Sequence, residues 1–436
     1  MVNLRLIFLI PVFLLLISLT SASIYALTKL YEHSDAFVKF GVSIILIFSF
    51  LIIARYMLLM IFSILQTIKK SAEEESEIVS SKKVSVIVPC YNEEAVIEKS
   101  LKSLINQTYP FIEILVINDG SEDRTLSIAK SMEYKYGYKS LKVYDKKNEG
   151  KAKALNYGIS KAKGELIICV DADSKLKSNA IELLVQHFND PSIAAVAGSV
   201  YISNQENMWT KLQALEYIEG LNMVRNGQAL FKLVNIIPGP IGMFRKSALL
   251  EVGGYSNDTF AEDCDLTLRL IAKGYKIDFE IDAISYTEAP ENLLDLLKQR
   301  YRWTRGILQS INKHKRYIFD FINKPSFSFV LQYMLFEAVI WPFMDFWVNL
   351  FIIYLALTSG ISILIVYWWI LFTVLDVAGA IYCLLITKER LSLALYAIYY
   401  RIFFISIINI AKIFATVEEW FDIKMHWGKL ERKGKL

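Results

Sequence analysis

Val84-Ser85-Val86-Ile87-Val88 is a short apolar run that ends in Pro89-Cys90-Tyr91-Asn92-Glu93-Glu94, and Ile114-Leu115-Val116-Ile117 is a second that ends in Asn118-Asp119-Gly120-Ser121. A helical pattern separates them, with Val96, Leu101, Leu104 and Ile105 on one face. The alternation continues along the chain. Leu126 to Tyr136 reads as helix, Leu141-Lys142-Val143-Tyr144 as a third strand and Lys151 to Lys161 as helix. Leu166-Ile167-Ile168-Cys169-Val170 is a fourth strand, ending in Asp171-Ala172-Asp173. Continuous apolar strands alternating with helices predict a parallel sheet covered on both faces. Ligands of such sheets bind beyond the carboxyl ends of the strands, where the chain places Tyr91, Glu93, Asp119, Asp171 and Asp173.

Outside this block the chain turns apolar. Leu6 to Thr28 contains no charged residue, enough for a spanning helix of about 20 residues. Phe40 to Ile68 is broken only by Arg55, and Ser326–Gly360, Ile361–Thr387 and Leu391–Thr416 follow at the other end. Ser21-Ala22-Ser23 resembles a signal-peptidase site, but the first run is longer than the usual apolar core of about 7–15 residues. A helical hairpin is the better reading. Arg5 precedes it and Lys69, Lys70, Lys82 and Lys83 follow it, so the positive-inside tendency puts the central domain in the cytoplasm, at the plasma membrane. The expected organisation is a membrane hairpin over 1–68, a polar linker over 69–83 and an α/β domain over 84–325 that includes a helix over 291–312. Interfacial and transmembrane helices follow over 326–416, and a basic cytoplasmic tail over 417–436. Three C-terminal spans would strand the tail Lys424 to Leu436 outside. One stretch therefore lies in the interface, either Ser326–Ile340 before Trp341-Pro342 or the last one, which holds Arg401 and Lys412.

Composition agrees. The 436 residues are 54% hydrophobic, 13% aromatic and 21% charged, more apolar and less charged than a soluble domain. This excludes disordered, collagen-like and disulfide-stapled classes. With 48 basic and 44 acidic residues the net charge is +4, too balanced to indicate a nucleic-acid partner. Cys90, Cys169, Cys264 and Cys383 form no C-x-x-C pair, so neither a zinc site nor a disulfide framework follows, and they read as small buried hydrophobes.

Four groups carry chemistry. Asp171 and Asp173, one residue apart at a strand end, make an oxygen-rich site for Mg²⁺ or Mn²⁺; a helix cap or a solvated turn is the plainer alternative. Lys151-Ala152-Lys153-Ala154 opens a helix after Asn148-Glu149-Gly150. Lysines there oppose the macrodipole unless an anion such as a diphosphate is bound, or unless they are simply solvated. Glu262, Asp263 and Asp265 suit the first turn of an amphipathic helix electrostatically, or supply a general base. Gln299, Arg302 and Trp303 share one helical face at i, i+3 and i+4, a set able to hold hydroxyls, a diphosphate and a sugar ring.

The ordered set Asp119, Asp171-Ala172-Asp173, Glu262-Asp263 and Gln299…Arg302-Trp303 resembles the family-two glycosyltransferases. It is most similar to the membrane-embedded processive synthases of hyaluronan, chitin, poly-N-acetylglucosamine and cellulose. The likeness runs from about Val84 to Gln309, and the tail Trp427-Gly428-Lys429-Leu430-Glu431-Arg432 is similar to tails of smaller poly-N-acetylglucosamine-synthase-like members. The resemblance implies an α/β GT-A domain, Rossmann-like with a mostly parallel sheet, flanked by transmembrane helices. It implies that Asp119 contacts the uracil of a UDP-sugar, with Tyr91 and Glu93 lining the same pocket. Asp171 and Asp173 would hold the nucleotide and a Mg²⁺ or Mn²⁺, and Lys153 would touch the diphosphate. Asp263, beside Glu262, would be the general base; Gln299 and Arg302 would bind the leaving diphosphate and Trp303 would stack on the acceptor sugar. Gly239, in Pro238-Gly239-Pro240-Ile241-Gly242, fits an acceptor loop. The usual T-E-D base motif is Ala261-Glu262-Asp263 here, with both carboxylates kept.

The implied activity is inverting, metal-dependent transfer from a UDP-sugar, with UDP-GlcNAc the first choice, to the growing end of a β-linked polysaccharide, with membrane helices that translocate the product. Transfer of one sugar to a polyprenyl-phosphate or glycolipid is the alternative, and a non-enzymatic scaffold or transporter a third. The partners are the donor, a saccharide or lipid-linked acceptor and membrane lipid, with room for accessory subunits and no nucleic acid. Arg55, Glu337, Asp345, Asp376, Arg401 and Lys412 lie in or near apolar stretches, where they either pair with one another or line a saccharide path.

Overall fold

The computed structural model describes residues 9–32, 35–72, 81–359, 362–423 and 434–436. Most of the expected linker and the Trp427–Arg432 tail lie outside the described residues. Among the described residues nine strands form one sheet: β1 Val84–Cys90, β2 Ile112–Asp119, β3 Tyr134–Tyr136, β4 Lys139–Lys146, β5 Leu166–Cys169, β6 Ser174–Leu176, β7 Ile193–Ile202, β8 Gly242–Arg245 and β9 Lys276–Thr287. Their order is β3-β4-β2-β1-β5-β8-β7-β9-β6.

The block β4-β2-β1-β5 is parallel throughout. Beyond it the sheet is mixed: β8 runs antiparallel to β5 and β7, and β9 runs parallel to β7. Alternation along β1 accounts for the two layers. Val84, Val86 and Val88 face Ile97, Leu101 and Leu104 on one side, while Ile87 faces Leu155 and Ile159 of helix Lys151–Lys161 on the other. The chain steps from β1 to β2 and β4 in one direction and places β5 on the other flank of β1. That reversal opens a crevice at the carboxyl ends of β1 and β5.

Two sequence expectations are corrected. β1 does not stop before Pro89 but runs to Cys90, in register with Asn118. Leu126–Tyr136 is not one helix: the helix spans Thr125–Ser131, and Tyr134–Tyr136 pairs antiparallel with Lys139–Leu141. Gly137, at φ 56°, supplies the left-handed turn that reverses the chain there.

Four helices among the described residues are long and apolar enough to cross a membrane: Ala36–Ala72, Pro325–Thr358, Trp368–Thr387 and Leu391–Trp420. Val42, Ile45, Phe48 and Ile52 pack with Phe351, Ile352, Phe372 and Leu375 in one core. Pro325–Leu335, by contrast, puts Phe327 and Leu331 into the same layer as Leu266 and Leu270 of the α/β domain. Both ends of the last stretch are also tied to that domain. At one end Lys211 lies over the Tyr396 ring and Trp209 meets Phe403 edge-on. At the other, Tyr301 bonds Glu418, and Arg305 pairs with Glu419 and donates to the Ile423 carbonyl at 2.9 Å. Of the charged residues in the apolar stretches, Arg55 pairs with Glu337 and Arg401 with Asp376 through two bonds of 2.6 and 2.9 Å, while Asp345 accepts from Asn409 at 2.9 Å and Lys412 Nζ lies 3.5 Å from the Glu337 carbonyl.

Candidate active site

Three elements meet at the carboxyl end of β5. Helix Lys151–Lys161 starts after Gly150, whose φ of 95° suits glycine. Its first residue puts Nζ 2.7 Å from Asp171 Oδ1 and 3.1 Å from Glu262 Oε1. The crevice disfavours the Lys151 charge, but Asp171 and Glu262 outweigh this and hold its pKa well above the ordinary value. Glu262 opens helix Glu262–Ala272, and Asp263 follows it, accepting the Cys264 N–H at 2.8 Å. Burial, and then the neighbouring Glu262, raise the Asp263 carboxyl to about 6, against the pull of Lys151. Asp265, in the same turn, faces the other way and pairs with Arg269 and Lys313. Gly239 closes the site from a loop: a Cβ there would lie 2.8 Å from Asp171 Oδ2 and 3.1 Å from Lys151 Nζ. Together with Leu155, Cys169, Phe244 and Tyr255, these groups line one cleft.

Two lysines of the helix-opening run have different partners. Lys153 does not reach Asp171; it is half exposed and pairs with Glu149 at 3.2 Å. Lys151 takes the place by the carboxylates. It is the first helical residue after Gly150, and that position was the signal available in the sequence.

Asp119 is only 3% exposed. It accepts from Lys146 Nζ at 2.6 Å and from the backbone N–H groups of Glu149 and Gly150 at 3.1 and 2.8 Å, so it braces the loop that launches helix Lys151–Lys161. The loop after β1 is laced to the loop after β2. Asn92 N–H donates to Ser121 Oγ at 3.0 Å and Glu93 N–H to Thr125 Oγ1 at 2.7 Å, leaving Tyr91 exposed beside them. Asp173 is buried and accepts from Ser174 Oγ at 3.3 Å. Ser174 pairs with Thr287 across the edge of the sheet, and Glu288 follows Thr287. The chain's last residues return to this edge: the Lys435 N–H donates to Glu288, and its Nζ pairs with Glu206 and, at 2.8 Å, with Glu291.

Gln299, Arg302 and Trp303 lie on helix Leu293–Lys313 and form a second group. Gln299 is buried and its carbonyl accepts from Arg300 Nη1 at 2.5 Å. Arg300, absent from the expected set, pairs with Glu216 and stacks 4.4 Å from the Trp303 ring, whose other neighbour is Tyr217 at 6.3 Å. Arg302 and Trp303 are half-buried. Gly306 of this helix approaches Ala261 so closely that a Cβ there would come within 2.6 Å of the Ala261 nitrogen. That packing fits the small residue in place of threonine in the base motif. The four cysteines are free and buried, and burial pushes the Cys90 and Cys169 thiols up to about 12.

Residues 85–253 match the family Glycosyl transferase family 2. Over 275 residues the chain is 32% identical to a protein named poly-beta-1,6-N-acetyl-D-glucosamine synthase from Staphylococcus aureus (strain COL), covering 63% of this chain and 64% of that one. Over 224 residues it is 34% identical to a protein of the same name from Staphylococcus epidermidis, covering 51% and 54%. The match thus spans less than two thirds of these relatives' own length. Among solved structures, the mannosyltransferase of Pyrobaculum calidifontis in complex with GDP-Man and Mn²⁺ superposes with a TM-score of 0.60 at 20% identity. It covers 88% of this chain and 99% of that one, a likeness of fold. Residues 85–253 are thus similar to the glycosyl transferase family 2 model, and the mixed sheet that carries the strand-end carboxylates shares its fold with the Pyrobaculum mannosyltransferase.

Proposed function

We propose that this chain transfers a sugar, with GlcNAc the first choice, from its UDP donor to the growing end of a β-linked polysaccharide. The observation that carries the reading is the cluster of Lys151, Asp171, Glu262 and Asp263, in which a cation and a carboxyl raised to about 6 flank one cleft. The names of the staphylococcal relatives favour GlcNAc and a polymer.

Asp263 takes the proton of the acceptor hydroxyl as that oxygen attacks the anomeric carbon. The bond from that carbon to the diphosphate oxygen breaks, and UDP leaves with the electron pair. A single displacement inverts the centre. Lys151 pairs with the charge that builds on the diphosphate, and helix Lys151–Lys161 offers it the positive end of its dipole. Arg302 and Gln299 serve the leaving group from the other helix, and Trp303, held by Arg300 and Tyr217, offers its ring to the acceptor. Asp119 acts on the nucleotide pocket through the loop it braces, next to Tyr91 and Glu93.

Asp171 and Asp173 are the residues to hold Mg²⁺ or Mn²⁺. Among the described residues no group of three or more His, Cys, Asp or Glu side chains surrounds a common metal position. The donor set therefore fits an ion that completes its shell with phosphate oxygens and water, as Mg²⁺ commonly does. When bound, such an ion neutralises charge on the leaving diphosphate.

The helices Leu9–Glu32, Ala36–Ala72, Trp341–Ser359 and Ser362–Thr387 make four crossings. The last stretch, tied to the α/β domain at both ends, dips into the interface and returns. This keeps residue 423 on the side of the α/β domain, which the basic residues after the first hairpin place in the cytoplasm. The crossing helices are the route by which the polymer leaves.

Product size tests the reading. Membranes holding the protein receive labelled UDP-GlcNAc with Mg²⁺ or Mn²⁺. A high-molecular-mass product, lost in Asp263→Asn, is expected. Label confined to a lipid-extractable product of one sugar would replace polymer synthesis by transfer to a lipid-linked acceptor.

A further inference from the structure

The segment Tyr217–Ala229 joins the membrane helices to the site, and its two faces do different work. One face grips helix Ala36–Ala72. Asn226 Nδ2 donates to Ser63 O, Ser63 Oγ and Thr67 Oγ1 at 3.0, 2.9 and 3.0 Å. Gly227 lies so close that a Cβ would come 2.9 Å from the Leu59 carbonyl oxygen. The backbone of this segment is thus fixed, and with it the residue before Asn226.

That residue is Arg225, which is 7% exposed. Its Nε donates to the Ile236 carbonyl at 3.3 Å, just ahead of the Pro238-Gly239 loop. Its Nη1 is buried without a hydrogen-bond partner. A buried donor left open is rare in folded proteins and calls for an explanation. Burial lowers the guanidinium to about 10, while Asp263 and Tyr217 pull it back up, so it stays charged at neutral pH. The neighbours place it. Asp263 acts on both Lys151 and Arg225; Asp171 and Glu262 act on Lys151, and Tyr217, which touches Trp303, acts on Arg225. Ile236, whose carbonyl Arg225 holds, leads directly into Ile237, Pro238 and Gly239, which line the cleft with Asp171, Glu262 and Asp263, so Arg225 backs that wall of the cleft.

We infer that Arg225 binds the acceptor: its open Nη1–H donates to an oxygen of the terminal acceptor sugar whose hydroxyl meets Asp263. The missing partner is a neutral polyol oxygen, since the diphosphate is served by Lys151. The inference rests on the glycosyl-transfer reading above. Its anchoring through Asn226 also makes acceptor geometry depend on the position of helix Ala36–Ala72.

The test uses full-length protein with UDP-GlcNAc as donor and a soluble tri-N-acetylglucosamine as acceptor. Arg225→Met removes every donor at similar volume, and Arg225→Lys keeps the charge and a single donor group. The expected result is a KM for the trisaccharide raised about tenfold or more in Arg225→Met, partly restored in Arg225→Lys, with the KM for UDP-GlcNAc within about twofold of wild type. A rise in donor KM equal to the rise in acceptor KM would overturn the assignment. So would wild-type acceptor KM in both variants, or loss of turnover in both with each KM unchanged. If the wild-type protein itself consumes no UDP-GlcNAc, the glycosyl-transfer reading fails first, which is a separate result from any behaviour of the variants.

Discussion

Lys151 and Asp171 form an ion pair of 2.7 Å that bridges the first turn of one helix and the end of β5. The same ammonium reaches Glu262 at 3.1 Å, so one cation holds together the two carboxylate groups the chemistry needs. Its neighbour Lys153 pairs only with Glu149. Lys151→Met is therefore expected to lower kcat/KM about 10²–10³-fold, the loss typical of one preorganised charge-stabilising donor. Lys153→Met is expected to change it less than about twofold, as for a solvated ion pair. UDP release from the two variants, measured side by side, decides between the lysines.

Much of this was legible in the sequence, for identifiable reasons. β1, β2 and β5 are buried on both faces, so they read as unbroken apolar runs, and each ends where a polar cluster begins. Asp119, Asp171 and Asp173 stand out because the strands deliver them to one edge. Tyr134–Tyr136 was not legible: one half-buried and two exposed residues carry no periodicity, and only the turn at Gly137 makes them a strand. Lys151 was passed over for Lys153 within one helix-opening run, and nothing local distinguishes Arg225. Lys151 differs from Lys153 by which turn of helix faces β5, and Arg225 matters through Ile236 and Asp263, residues 11 and 38 positions away. The last apolar stretch looked able to span, and the contacts at its two ends, which a hydropathy pattern does not contain, tie it to the α/β domain.

Asp263 sets a pH limit. Its carboxyl, raised to about 6 by burial and Glu262, has to be deprotonated for the proposed role as general base. Activity is expected to be flat above that value and to fall about tenfold per pH unit below it, as the base becomes protonated. A kcat/KM profile with an acid limb near pH 6 is the expected result, and a limb near 4 would remove Asp263 from the role. Asp263→Asn is expected to cost about 10²–10⁴-fold at pH 7.5.

Gly239 tests how closely the loop meets the site. A methyl group at this position would lie 2.8 Å from Asp171 Oδ2, well inside contact distance. Its φ is not in the left-handed region, so backbone strain is not the issue. Gly239→Ala is expected to raise the KM for UDP-GlcNAc about tenfold by displacing Asp171 or the loop, with the melting midpoint nearly unchanged. An unaltered donor KM would mean that the loop moves freely on binding.

His187 makes stability depend on pH far from the site. Its ring nitrogens meet Asp278 at 2.7 Å and Glu280 at 2.8 Å. Burial lowers its pKa, but the two carboxylates prevail and raise it to about 9. A folded-state value above the unfolded one stabilises fully below the unfolded value of about 6.5, and the contribution is lost as pH rises through about 9. His187→Gln is expected to be less stable than wild type at pH 6 by on the order of 2 kcal/mol. The gap should close by pH 10 in paired denaturation curves; a gap independent of pH would mean that packing, not charge, is what His187 contributes.

The side on which the chain's two ends of the last stretch emerge can be read by labelling. Native cysteines give little background, since Cys90, Cys169, Cys264 and Cys383 are all buried. Glu389 precedes the stretch and Ile423 follows it, with Arg305 of the α/β domain bonded to the Ile423 carbonyl. If the stretch dips and returns, Glu389→Cys and Ile423→Cys behave alike toward a membrane-impermeant maleimide: both stay unlabelled in intact cells and react once the membrane is opened. Ala36→Cys, at the start of helix Ala36–Ala72, is the opposite control and reacts in intact cells. A full crossing instead makes Glu389→Cys and Ile423→Cys differ. That outcome would separate Tyr301 and Arg305 from Glu418 and Glu419 by the thickness of a bilayer core, about 30 Å, and so could not coexist with the contacts that join them.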